Sequence, residues 1–127
     1  MDELDEFGKE YIHQVRDRVI TKYLMTKSGK MKSPEAQLLH KQILKLNPDQ
    51  VKVVDQIVSD IIETQLHHCL FMFEASAKWA IVEKDSAENE GLDHLADVSD
   101  GLAGELYSDE GWIAKFSKYK PDALEEK

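Results

Sequence analysis

Residues 47–75, NPDQVKVVDQIVSDIIETQLHHCLFMFEA, decide how this chain is read. The stretch opens on Asn47-Pro48-Asp49-Gln50. That is a capping side chain, a proline suited to the first helical position, an acid in the first turn, and a glutamine placed to close a capping box. Apolar side chains then recur as Val51, Val54, Ile57, Val58, Ile61, Ile62, Cys69 and Phe73. At about 100° per residue they fall in a sector near one side of a helix. The spacing predicts one long helix ending near Ala75. Gln65 falls in the same sector, so it should be partly buried and hydrogen-bonded. Cys69 reads as a core thiol, with His68 on the flank of the core.

Upstream, Ser33-Pro34-Glu35 repeats the same punctuation and starts a shorter helix with the stripe Leu39, Ile43 and Leu46. A first helix is expected from about Asp2 to Thr26. Leu4, Phe7, Tyr11, Val15 and Val19 give its apolar face, with Ile12 and Tyr23 alongside, and Gly29 as its stop. Downstream the period changes. Trp79–Val82 is a β-prone run, Asp85–Gly91 reads as a loop, and Leu92–Val98 reads as a return strand. Ser108-Asp109-Glu110 then resembles a helix start, followed by Trp112, Ile113, Phe116 and Tyr119 and ended by Pro121. The expected architecture is mainly α. It is a three-helix bundle with one long central helix, a small C-terminal β-hairpin and a short terminal helix. Residues 1–121 form a single globular domain, and 122–127 form a frayed tail.

Composition sets bounds on function. At 127 residues, with 42% apolar and 32% charged side chains, the chain can build a core without staples. The acidic N-terminus has no apolar run behind it, so no signal peptide is read there. The apolar stretch around Cys69–Phe73 is far shorter than the roughly 20 residues that span a bilayer. A single cysteine allows no internal disulfide and favours a reducing compartment. These features together predict a cytoplasmic protein with no membrane role.

The charge is unevenly placed. Residues 85–111 hold nine acids and no Lys or Arg: Asp85, Glu88, Glu90, Asp93, Asp97, Asp100, Glu105, Asp109 and Glu110. The rest of the chain carries 16 acidic and 16 basic groups, so the net charge of −9 belongs to this window. A binder of phosphate backbones needs a basic face, which argues against nucleic acid as a ligand. Arg16, Arg18, Lys22, Lys27, Lys30 and Lys32 form a local exception, read as a solvated helix end.

Catalytic and cofactor motifs are not found, and no catalytic, cofactor-binding or metal-ligating residue is assigned. Glu10 and His13 have the Glu-x-x-His spacing of helical di-metal sites, with Asp17 a turn further on. All three fall opposite the apolar face and have no second such pair. Asp60, Glu63, His67 and Glu74 likewise share the polar side of the long helix. A calcium loop starting at Asp97 puts Leu102 where a glycine is required, and Asp100–Glu105 matches no phosphate-binding pattern. Gly101 and Gly104 read as turn residues with positive φ. The aromatic group at Trp112, Phe116 and Tyr119, interleaved with Lys115, Lys118 and Lys120, favours packing over docking.

Two functions of different kinds remain. The first is a non-catalytic protein-interaction module, of the inhibitor, immunity or adaptor type, that presents the acidic window to a basic protein partner. The second is a small metal-dependent or acid–base enzyme, which needs His13, His40 and His67 to converge. A homodimer through the aromatic helix or a hairpin edge is compatible with either. The acidic window could also fold back on the basic cluster Arg16–Lys32 as an internal charge network.

Overall fold

The computed structural model describes residues 1–84, 94–121 and 123–127. The capping signals act where the sequence puts them. Asp2 caps α1 (Glu3–Tyr11), its side chain accepting from Asp5 N at 2.8 Å. A π-helical segment (Ile12–Asp17) and α2 (Arg18–Ser28) continue without leaving helical backbone angles. Gly29, at φ 82°, closes this first rod in the left-handed conformation that suits glycine. Ser33 caps α3 (Pro34–Ile43) through Ala36 N. Asn47 and Gln50 exchange two 2.9 Å bonds in a complete capping box at the start of α4 (Pro48–Ala75).

Tyr11 donates to the Leu66 carbonyl, and Lys27 pairs with Asp55 at 2.8 Å, so the first rod and α4 run antiparallel. The short α3 folds back on α2. Gln37 donates to the Gly29 and Met31 carbonyls, and the His40 ring to the Lys27 carbonyl. Leu38, Leu39 and Leu44 of this region stay exposed, so the chain does not form three helices with all stripes turned inward.

The third layer is the C-terminal segment, built from 3-10 turns at Leu95–Val98 and Ala103–Leu106 and the short α5 (Trp112–Phe116). Its Leu95, Leu102, Leu106, Trp112 and Ile113 pack with Ile12, Ile20, Ile62, Leu66 and Leu70 in one core. Trp112 lies flat on Gly8, where a Cβ would enter the indole, and meets Phe7 edge-on at 5.8 Å between centroids.

This layer replaces the expected β-hairpin. No strand forms among the described residues. Trp79–Val82 is irregular, Leu95–Val98 is a 3-10 turn, and Leu92, Asp93 and the loop 85–91 lie outside the described residues. One backbone bond, from Leu95 N–H to the Ile81 carbonyl at 2.9 Å, joins the two runs. β-Propensity needs a paired, half-buried surface to be realised, and Trp79 is 61% exposed. The terminal helix is also shorter than expected. It starts after Gly111, not at Ser108, and ends at Phe116 because Ser117 turns into an extended backbone (ψ 142°). Ser108 itself takes the positive φ expected of Gly101 and Gly104; among the described glycines only Gly29 does. Residues 123–127, read as a frayed tail, run back beside Lys118–Lys120, with Lys120 N–H donating to the Glu125 carbonyl at 2.7 Å.

The buried face of both long helices is rotated from the sequence expectation. The core line of α4 is Ile62, Leu66 and Leu70, while Ile57 and Ile61 stay more than half exposed, and Gln65 and Cys69 are exposed too. On the first rod the buried line is Gly8, Ile12, Arg16, Asp17 and Ile20, and Val15 and Val19 face out. A π-helical turn is wider than an α turn, so side chains beyond it leave the register assumed from a uniform helix. No helix among the described residues is long and apolar enough to cross a membrane.

Candidate functional site

The charged groups separate towards the two ends of the antiparallel pair. Residues 18–52 hold eight Lys or Arg and two acids, and they form α2, α3 and the start of α4. The opposite end gathers α1 and its cap, with Asp2, Glu3, Asp5, Glu6 and Glu10 against the base Lys9, and the last turn of α4, with Glu74. The 95–111 segment is tied to that end. Ala103 N–H donates to Glu74 at 2.9 Å and Trp112 Nε1 to Asp5 at 3.2 Å.

Five of the nine window acids lie in the described residues. Asp97, Asp100, Asp109 and Glu110 are exposed, on a backbone whose intervening Leu95, Leu102, Leu106 and Trp112 are buried. Asp97 Oδ2 accepts from His94 N–H at 3.1 Å. Glu105 is half-buried and accepts from the Ser99 hydroxyl at 3.0 Å. Asp100, Glu105 and Glu110 rim one open hollow of about 440 Å³. Asp97 and Asp109 lie outside it. Asp85, Glu88, Glu90 and Asp93 fall outside the described residues. Beside this surface, Glu3, Glu6 and Glu10 rim a second hollow of about 220 Å³ floored by Phe7, Ile81 and Leu95. No described acid of the window pairs with the basic cluster Arg16–Lys32.

The cluster that sequence reasoning missed is buried between the first rod and the C-terminal segment. The Ser117 hydroxyl donates to Asp17 Oδ1 at 2.6 Å. It accepts from Arg16 Nη1 at 2.7 Å and from Tyr119 N–H at 3.0 Å. Asp17 Oδ2 takes the Lys118 N–H at 3.0 Å, and Arg16 Nη2 reaches Glu63 and the Pro121 carbonyl at 3.5 Å. Burial lowers the Arg16 guanidinium from its ordinary pKa, opposed by the charges of Glu63 and Asp17. Both lone pairs of the Ser117 oxygen are engaged by donors, so this hydroxyl is not free to act as a nucleophile. The arrangement is a clamp that fixes the C-terminal segment on the rod. The expectation that Asp17 lies on a solvated face is thereby corrected: it is 6% exposed. The spacing Gly8, Ile12, Arg16, Ile20, a run of fours continuous with the real core, was the available signal.

The titratable groups singled out from sequence are dispersed. His13 Nε2 donates to the Phe116 carbonyl at 2.9 Å, His40 is held at α2, and His67 Nδ1 pairs with the Tyr107 hydroxyl at 3.0 Å. Among the described residues no three His, Cys, Asp or Glu side chains come together to hold a metal ion. Cys69 is exposed, not a core thiol. Its contact adds to the burial that holds the Tyr11 hydroxyl well above its ordinary pKa. Burial likewise raises Tyr107, helped by the charge of Glu63.

No protein-family model matches the chain, and neither curated proteins nor solved structures show a significant similarity to it.

Proposed function

We propose that this chain is a non-catalytic protein-interaction module whose acidic end receives a basic protein. The carrying observation is the pinning of the acids. Asp97, Asp100, Asp109 and Glu110 project from short turns anchored by the buried Leu95, Leu102, Leu106 and Trp112, so the backbone that carries the carboxylates is fixed before a partner arrives. Preorganised charges of one sign steer association and lose less entropy on binding than charges on a free tail. The apolar-floored hollow rimmed by Glu3, Glu6 and Glu10 adjoins them, which suits a side chain with an aliphatic stem and a cationic head.

The test is capture of partners on immobilised protein at about 50 and about 500 mM salt, a range over which exposed charge interactions are strongly screened. Beside wild type runs the variant D97N/D100N/E105Q/D109N/E110Q, in which the amide that replaces the Glu105 carboxylate keeps an acceptor for Ser99. Basic proteins retained by wild type at low salt and lost by the variant support the reading. Identical captures, or retention that ignores salt, refute it.

A further inference from the structure

Ile57 and Ile61, which the sequence places in the core and the single chain leaves more than half in water, lie on one line of α4. On α4 the positions Val54, Ile57, Ile61, Gln65, His68 and Met72 follow one another at spacings of three and four. At about 100° per residue they stay within a sector of about 80°. Ile57, Ile61 and Met72 are each more than half exposed, and the line contains no Asp, Glu, Lys or Arg. It continues sideways into a groove of about 200 Å³, where Val15 and Val19 of the first rod meet Ile62, Gln65 and Cys69. We infer that this face is a homodimer interface in which two copies of the chain pack α4 against α4 in antiparallel orientation.

Three observations select a second copy as the occupant. A neutral line gives no handle to an oppositely charged partner, yet it allows like to meet like, because the charge of −9 is carried elsewhere. The ends supply the orientation. Most of the eight basic groups of residues 18–52 lie toward the start of α4, while Glu74, the acids of α1 (Asp5 among them paired with Lys115) and those of residues 97–110 lie toward its end. Antiparallel pairing sets the basic end of each copy beside the acidic end of its partner; parallel pairing would set like against like. The extent also fits. From Val54 to Met72 the line is about 27 Å long at about 1.5 Å per residue, and two adjacent helices make it about 20 Å wide. That flat footprint of roughly 540 Å², which understates accessible area, approaches the roughly 800 Å² per partner of a standard interface. The spacings of three and four also fit the seam of two helices crossing at a shallow angle. The inference uses a different face from the acidic end, so it stands or falls without the proposed basic partner.

Sedimentation of the full chain from about 1 to about 200 µM reads the assembly, and a spin label on the native Cys69 reads its orientation. The two-fold axis should pass near residue 63, the middle of the line, which leaves the two Cys69 positions about 20 Å apart. I61D and I57D should weaken the dimer at least a hundredfold. Their helical circular dichroism should not change, because both sites are already half in water. V98D, at a 46% exposed apolar site on a C-terminal turn, should leave the dimer intact. A chain that stays monomeric at 200 µM overturns the inference, as does a dimer indifferent to I57D and I61D. A label separation of about 10 Å, the value for parallel helices, overturns the antiparallel arrangement.

Discussion

Gly8→Ala is a perturbation in which two effects of opposite sign compete, and the structure decides between them. In an exposed helix interior, replacing glycine by alanine gains about 1 kcal/mol from backbone entropy and helix propensity. Gly8 is buried under Trp112, and an added Cβ would sit inside the indole, far closer than the roughly 3.5–4.0 Å at which carbon atoms rest. The indole has little room to yield. It is fully buried, it stacks edge-on with Phe7, and its Nε1 donates to Asp5 at 3.2 Å. Overpacking of this kind costs about 1–3 kcal/mol, and expelling a buried tryptophan altogether costs about 3–5. Because the Cβ would overlap the ring itself, the cost falls between those two, about 2–4 kcal/mol, and less the gain of about 1 kcal/mol the net expectation is a loss of about 1–3 kcal/mol. For a chain of 127 residues that lowers the melting temperature by roughly 4 °C per kcal/mol, read by circular dichroism. Two companions make the result interpretable. Gly104→Ala, where nothing lies within 4 Å of a new Cβ, should change stability by less than about 0.5 kcal/mol. In a Trp112→Phe background the smaller ring should recover at least about 1 kcal/mol of the Gly8→Ala cost. A Gly8→Ala variant as stable as wild type, or one equally destabilised in both backgrounds, would show that the Gly8–Trp112 contact does not hold the C-terminal segment.

Ser117→Ala removes the hydroxyl that joins Arg16, Asp17 and the Tyr119 N–H. Leaving those buried groups short of partners should cost about 2–3 kcal/mol in urea unfolding, and a change below about 0.5 would mean the clamp is not formed in solution. At high pH the tyrosines set the trend. Burial, aided by Asp55, raises the Tyr23 hydroxyl above its ordinary value of 10.0, so the folded state binds that proton more tightly than the unfolded one. Its contribution is therefore complete below pH 10 and declines as pH rises beyond it. Tyr23→Phe should flatten the fall of melting temperature above pH 10, and parallel curves for the two proteins would refute the assignment.

The helix ends were legible in the sequence because they are local. Asn47 with Gln50, Ser33 with Pro34, and Gly29 each satisfy backbone groups within a few residues of themselves, and all three act as read. The buried faces were not legible, since they depend on what covers them. On α4 the side carrying Glu63, His67 and Glu74 looks solvated by composition. In the fold all three polar side chains are reached, by Arg16 of the first rod and by Tyr107 and the Ala103 N–H of the C-terminal segment, and Leu66 and Leu70 are buried between them. Arg16 and Asp17 escaped notice for the same reason: a charge reads as outward until a partner such as Ser117 is brought in from a hundred residues away. The acidic window was visible as composition, but its division into exposed acids and a half-buried, bonded Glu105 required the fold. The hairpin failed because a β-prone run specifies no partner. Ile81 meets Leu95 through one bond, and no ladder follows among the described residues.

These departures share one physical cause. The C-terminal segment covers one side of both long helices, where it bonds Arg16, Asp17, His67 and Glu74, and this rotation leaves Val15, Val19, Ile57 and Ile61 turned out. Burying a polar face is close to neutral in net free energy once its groups are bonded. Leaving a branched aliphatic side chain half in water forfeits about 1 kcal/mol that its burial would return. Ile57, Ile61, Val15 and Val19 are all in that position, with exposures between 41% and 57%. The periodicity that marked them as core is thus a statement about burial that a single copy of the chain does not satisfy. Pairing along α4 reconciles the two without moving any element of the fold. It also accounts for the neutrality of that line: an interface that meets itself tolerates no charge of one sign near its axis, whereas the acids and bases segregated to the ends can then pair across it.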